Sequence, residues 1–70
     1  MMTLQRFPTA RTPLQEARAA AGLSLLELAA RAKLSIATVH IAERAPQLAT
    51  SRTIERVAKV LGVDPSSLKP

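Results

Sequence analysis

Apolar residues recur along this chain at helical intervals, in short blocks separated by helix-stopping residues. Thr12, followed by Pro13 and then by Gln15 three places on, reads as an N-cap, a first-turn proline and a capping-box partner. The first predicted helix, 13–21, puts Leu14, Ala17 and Ala21 on one face and stops at Gly22. Leu23 then lies in a turn, placed to plug a core. Two serine-led segments follow, 24–32 and 35–44, with only Lys33 and Leu34 between them. Ser24 has Glu27 at the capping-box spacing, and Ser35 is followed by Thr38 and Val39. Leu28, Ala29 and Ala32 mark the buried face of one helix, Val39 and Ala42 that of the next. Pro46 then permits a loop over 45–49. Thr50 caps a fourth helix with Ile54, Val57, Ala58 and Leu61 inward, ending at Gly62. Asp64, Pro65 and Ser66 open a short fifth helix with Leu68 as its one large apolar residue. Nothing has the alternation of a strand, so the expected fold is an all-α bundle of five helices.

Two short helices joined by so tight a turn cannot lie flat together. Small residues at Ala29, Ala32 and Ala42 let them approach closely. This is the helix-turn-helix arrangement, whose second helix can enter the major groove of DNA.

With the elements placed, the chain resembles the lambda-repressor and Cro-type helix-turn-helix family, the Xre family. The pieces that carry the resemblance are AGLSLLELAARAKLS at 21–35, TVHIAER at 38–44, TIERVAKVLGV at 53–63 and DPSSL at 64–68. No single piece is specific, but the ordered set runs without gaps from Leu14 to Leu68, about four-fifths of the chain. The resemblance implies a compact five-helix lambda-repressor-like bundle with 35–44 as recognition helix. It also implies a transcriptional regulator, typically a repressor of phage, restriction–modification-controller or antitoxin type. Such proteins bind palindromic operators in double-stranded DNA as homodimers.

Several site residues carry over by the resemblance. Arg18 matches a family arginine that reaches phosphate and pairs with a late glutamate of the recognition helix, here Glu43, leaving a guanidinium fork toward DNA. Ser24 and Ser35 leave helix N-termini facing phosphates besides capping their helices. Arg44 and the loop to Thr50 match a segment that tracks the DNA backbone. The base-reading positions of the family are usually Gln, Arg, Asn or Ser, because base edges are read by hydrogen bonds. Here they are Leu25, Ile36, Ala37 and Ile41, with Ser35, Thr38 and His40 as the remaining polar readers. Lys33 and Ala45 stand where the family has turn glycines. Together with Leu26, the apolar residues form a patch where a polar surface is expected. Two explanations follow: the patch meets thymine methyl groups while basic residues hold phosphates, or it binds a protein partner.

Composition narrows the function classes. Seventy residues make one domain, and a chain this short buries only about 60% of its unfolded surface. Ten Lys and Arg against five Asp and Glu give a net charge of +5, with a pI near 11.3. That balance fits a polyanionic partner as well as a merely solvated basic surface. Residues 1–12, with Arg6, Arg11 and no acid, read as a flexible basic arm ahead of a DNA-binding domain over 13–70. Phe7, the single aromatic, can pack on the domain or on a second subunit. Val60, Val63 and Leu68 are candidates for a dimer contact and equally for core.

There is no cysteine, one histidine and scattered carboxylates, so no metal site is expected. No nucleophile–base–orienter set and no glycine-rich phosphate loop occur, and Gly22 and Gly62 are the only glycines. A binding protein without cofactor, rather than an enzyme, is expected. Apolar runs fall far short of the ~20 residues of a membrane span, and the N-terminus lacks the apolar core of a secretion signal. Richness in Ala and Arg with little Lys points to a high-GC prokaryotic or phage genome, and for such a DNA-binding protein the expected location is the cytoplasm, on the nucleoid through its DNA.

Overall fold

Thr12 starts the first helix as its spacing requires. Its side-chain oxygen accepts from the Gln15 N–H at 3.3 Å, and the Gln15 side chain accepts from the Thr12 N–H at 3.0 Å. The computed structural model describes residues 11–68. The expected arm therefore lies outside the described residues except for Arg11 and Thr12, and with it Arg6 and Phe7. Helix α1 (Pro13–Ala21) ends on Gly22 at φ +71°, where the Gly22 N–H bonds the Ala19 carbonyl and the Leu23 N–H the Arg18 carbonyl.

Helix α2 (Leu25–Ala32) repeats the device. Ser24 accepts from the Glu27 N–H at 3.0 Å, and Glu27 accepts from the Ser24 N–H at 2.8 Å. That second bond, then the Ser24 hydroxyl, holds the Glu27 carboxyl below its ordinary value. Lys33 ends the helix at φ +59°, the one non-glycine residue of positive φ among the described residues. Helix α3 (Ile36–Arg44) begins at Ser35, whose oxygen accepts from the Thr38 N–H at 3.1 Å. It ends at Ala45 with φ −139°, so the glycine expected there by family pattern has no conformational work to do. The loop beyond is wound into a 3₁₀ turn, Pro46–Leu48. Helix α4 (Ser51–Leu61) starts at Thr50, which accepts from the Thr53 N–H at 3.1 Å, and ends at Gly62.

The fifth helix expected from the sequence is a 3₁₀ turn, Pro65–Leu68. Local side-chain bonds explain the difference. The Asp64 carboxylate accepts from the Ser66 N–H at 2.9 Å and from its hydroxyl at 2.8 Å, and the Ser67 hydroxyl donates to the Asp64 carbonyl. The Ser67 N–H also bonds that carbonyl, three residues back, which winds the backbone more tightly than an α-helix. The fold is thus all-α, with four α-helices among the described residues.

Leu14, Leu28, Val39, Ile54, Val57 and Leu68 are fully buried and meet at the centre. Ala29, Ala32 and Ala42 are buried too, as close approach of α2 and α3 requires. Leu23 packs against this core, as expected of a plug, and so do Ala17 and Leu61. Ala21, expected on the inner face of α1, is exposed, because the chain turns at Gly22 and brings Leu23 inward in its place. Leu68 belongs wholly to the core and offers nothing to a second subunit, whereas Val60 and Val63 are only partly covered.

Candidate nucleic-acid interface

Helix α3 divides cleanly into two faces. Val39, Ala42 and Glu43 are buried, and Thr38 is half-buried at the boundary. The remaining positions, Ile36, Ala37, His40, Ile41 and Arg44, are all exposed. Spacings of three and four residues place these five on one continuous outward arc. Ile36 and Ile41 leave 46% and 49% of their surface to solvent and stand at the two edges of the arc, with His40, Arg44 and Ala37 between them. On α2, Leu26 is 61% exposed, whereas Leu25 is half-buried and packs against the core. Leu25 is thereby less available than the family resemblance implies, because it lies on the same stripe of α2 as Leu28, Ala29 and Ala32 and helps close the bundle.

The polar residues around the arc are largely engaged with one another. The Ser35 hydroxyl donates to the Thr38 hydroxyl at 2.8 Å while accepting from the Thr38 N–H. Ser24 is occupied in the same way by the Glu27 N–H. His40 and Arg44 are the polar side chains left on the outward arc itself.

Arg18 and Glu43 form the expected ion pair between α1 and α3. The Arg18 Nε donates to one carboxylate oxygen of Glu43, and Nη2 donates to the other at 3.2 Å. Nη1 donates to the Leu23 carbonyl at 3.0 Å. Every guanidinium nitrogen is engaged, so the fork expected to point outward is instead closed inward on Glu43. The cause is the buried carboxylate, which is 2% exposed and must be paired where it sits. One N–H on each terminal nitrogen remains, and 24% of the Arg18 side chain is exposed.

Two features escaped the sequence reading. Arg56 of α4 donates to the Lys33 carbonyl at 3.3 Å, tying the turn between α2 and α3 to α4. Leu48, in the turn after α3, is 70% exposed. Neither has a local sequence signal, although the i, i+4 pair Arg52 and Arg56 marks one side of α4 as basic. Among the described residues no group of three or more His, Asp or Glu is arranged to hold a metal ion. No described helix is long and apolar enough to cross a membrane.

Comparison with curated proteins and with solved structures gives no significant match. The family model of the helix-turn-helix domain matches residues 11–69, nearly the whole chain. That span includes α2, the Lys33 turn and α3, the elements that bear the exposed arc. The chain therefore belongs to the helix-turn-helix domain family.

Proposed function

We propose that this protein is a sequence-specific DNA-binding transcriptional regulator of lambda-repressor and Cro type, acting on operator DNA in the cytoplasm. A repressor of phage, restriction–modification-controller or antitoxin kind fits best. The observation that carries the reading is the outward arc of α3, open from Ile36 to Arg44 in a helix-turn-helix chain of net charge +5. In this reading α3 lies in the major groove. Arg44, the remaining Arg18 N–H groups and the backbone amides beside Ser24 and Ser35 hold phosphates, while Ile36, Ala37, His40 and Ile41 face base edges, with Leu25 and Thr38 at the margin. One such helix spans few base pairs, so a homodimer on a palindromic operator follows. Val60 and Val63 are its candidate contacts. The role is binding, with no catalytic step and no cofactor.

The apolar character of the arc favours a second reading, in which the same face binds a protein partner. A salt series separates the two. Binding of the full chain to duplex DNA should fall steeply with salt, with a log–log slope of about −0.9 per phosphate neutralised. Arg44→Ala should weaken binding to all sequences alike and flatten that slope. A salt-independent association, or none to duplex at low salt, would overturn the DNA reading in favour of the protein-binding one.

A further inference from the structure

We propose that the outward arc of α3 recognises the C5-methyl groups of pyrimidines in the major groove, thymine and 5-methylcytosine alike. The inference rests on the DNA-binding reading above and adds the chemical group that is read.

The outward arc carries one side chain able to pair two hydrogen bonds with a base edge, Arg44 in the last turn of α3. Bidentate reading of guanine or adenine needs Arg, Lys, Asn or Gln over the groove. From Ser35 to Ile41 there is none. The Ser35 and Thr38 hydroxyls are bonded to each other, and Arg18 is closed on Glu43. On the face of the helix, His40 and Arg44 are the polar side chains that lie between the two exposed isoleucines.

What the arc can do is bury hydrocarbon. The base edges of the major groove carry one apolar group large enough to pack against, the methyl at C5 of thymine; cytosine has only a hydrogen there, and the remaining features are donors or acceptors. An isoleucine pressed on a guanine, adenine or unmodified cytosine edge desolvates polar atoms without replacing their hydrogen bonds. Pressed on a C5-methyl, it removes apolar surface from water. Methylation of cytosine puts the same group at the same ring position, so the arc has no means of telling the two apart except through the rest of the base. Ile36 to Ile41 covers about 7.5 Å of helix axis, at ~1.5 Å per residue. That matches about two base steps of ~3.4 Å, so the two isoleucines reach methyls about two pairs apart rather than on one base. The occupant argued for is DNA: a chain of net charge +5 in a helix-turn-helix family, with Arg44 on the same arc, complements a polyanion.

The test uses the full chain and four duplexes of equal length at one salt concentration, followed by fluorescence anisotropy. One duplex contains thymine and its twin deoxyuridine at the same positions, while another contains cytosine and its twin 5-methylcytosine. Thymine should bind more tightly than deoxyuridine, and 5-methylcytosine more tightly than cytosine, by about fourfold per methyl group buried. In Ile36→Ala/Ile41→Ala both preferences should vanish while the salt slope is unchanged. These residues are exposed, and an unaltered melting temperature of the variant establishes that it is folded. Salt-dependent binding that is indifferent to both methyl exchanges overturns the proposal and leaves the DNA reading standing. A preference that persists in the double variant assigns the effect to duplex shape and overturns it as well. Absence of binding to all four duplexes at low salt overturns the DNA reading itself.

Discussion

The Arg56 guanidinium lies 3.3 Å from the carbonyl oxygen of Lys33, a residue twenty-three positions earlier that ends α2 in a left-handed conformation. One bond thus joins α4 to the turn that sets α3 against α2. It supplies a donor to a helix C-terminus whose last carbonyls would otherwise face water, and a cation there also suits the helix dipole.

Lys33→Gly should stabilise the domain. A side chain at φ +59° costs about 1–2 kcal/mol. Glycine gives back ~0.4–1 kcal/mol through the greater freedom of the unfolded chain, leaving a net gain of about 0.5–1 kcal/mol. The Arg56 bond should survive, since its acceptor is backbone. Lys33→Val should destabilise, because a branched Cβ tolerates this conformation least. Urea denaturation of the three proteins checks the order, and Lys33→Gly no more stable than the parent would contradict it.

Arg18→Met should be among the most damaging substitutions in the chain. It leaves the Glu43 carboxylate buried without its partner. Loss of one member of a fully buried pair costs ~3–5 kcal/mol, and partial exposure of Arg18 lowers the expectation to about 2–4 kcal/mol. Arg18→Met/Glu43→Leu should recover much of the loss, because no uncompensated charge remains. A double-mutant cycle read by thermal melting would count against the pair if the two single changes simply added.

Leu68→Ala should cost about 2–5 kcal/mol, the range for truncating a buried leucine. The turn that carries Leu68 is only Pro65–Leu68, yet its side chain is one of the largest in the core. In a domain this small that fraction of the total stability is large. Calorimetry showing an unchanged melting temperature would mean the C-terminal turn is dispensable.

Acid should weaken α2 through Glu27. Its carboxyl is held below the ordinary value of 4.5, first by the Ser24 N–H and then by the Ser24 hydroxyl. The contribution is therefore complete above the unfolded value and is lost as pH falls through the lower folded one. Glu27→Gln keeps a capping-box partner, as Gln15 demonstrates at Thr12, but does not titrate. The stability difference between parent and variant should be constant above about pH 5 and shift toward the variant in more acidic solution. Denaturation midpoints measured across that range decide it.

Helix starts were legible in the sequence because a cap and its partner lie three residues apart, and Thr12–Gln15, Ser24–Glu27, Ser35 and Thr50 all behave as their spacing requires. The Pro65 segment misled for the opposite reason. A cap followed by proline is a helix signal, but the neighbouring serines bond back to Asp64 and tighten the winding. The Arg18–Glu43 pair was legible only through resemblance, since nothing local joins residues on different helices. Arg56 had no such guide. Leu25 shows a subtler limit: the resemblance places it at a base-reading position, yet its spacing to Leu28, Ala29 and Ala32 puts it on the inward stripe of α2, and it packs against the core. On α3 the exposed set follows periodicity alone, so the face was readable although its apolar content was unexpected for the family.

The closure of Arg18 on Glu43 also bears on how α3 meets a partner. The carboxylate is held at two oxygens, and the same guanidinium grips the Leu23 carbonyl at the entrance to α2, so a single side chain couples all three of the first helices. Swinging α3 away would strand a charge in the interior. The helix is therefore presented already ordered, and little conformational entropy is left to lose on association. Free and bound forms should superimpose closely over α1 to α3, and differences in affinity between ligands should arise from the contacts of the exposed arc rather than from refolding of the helix that bears it.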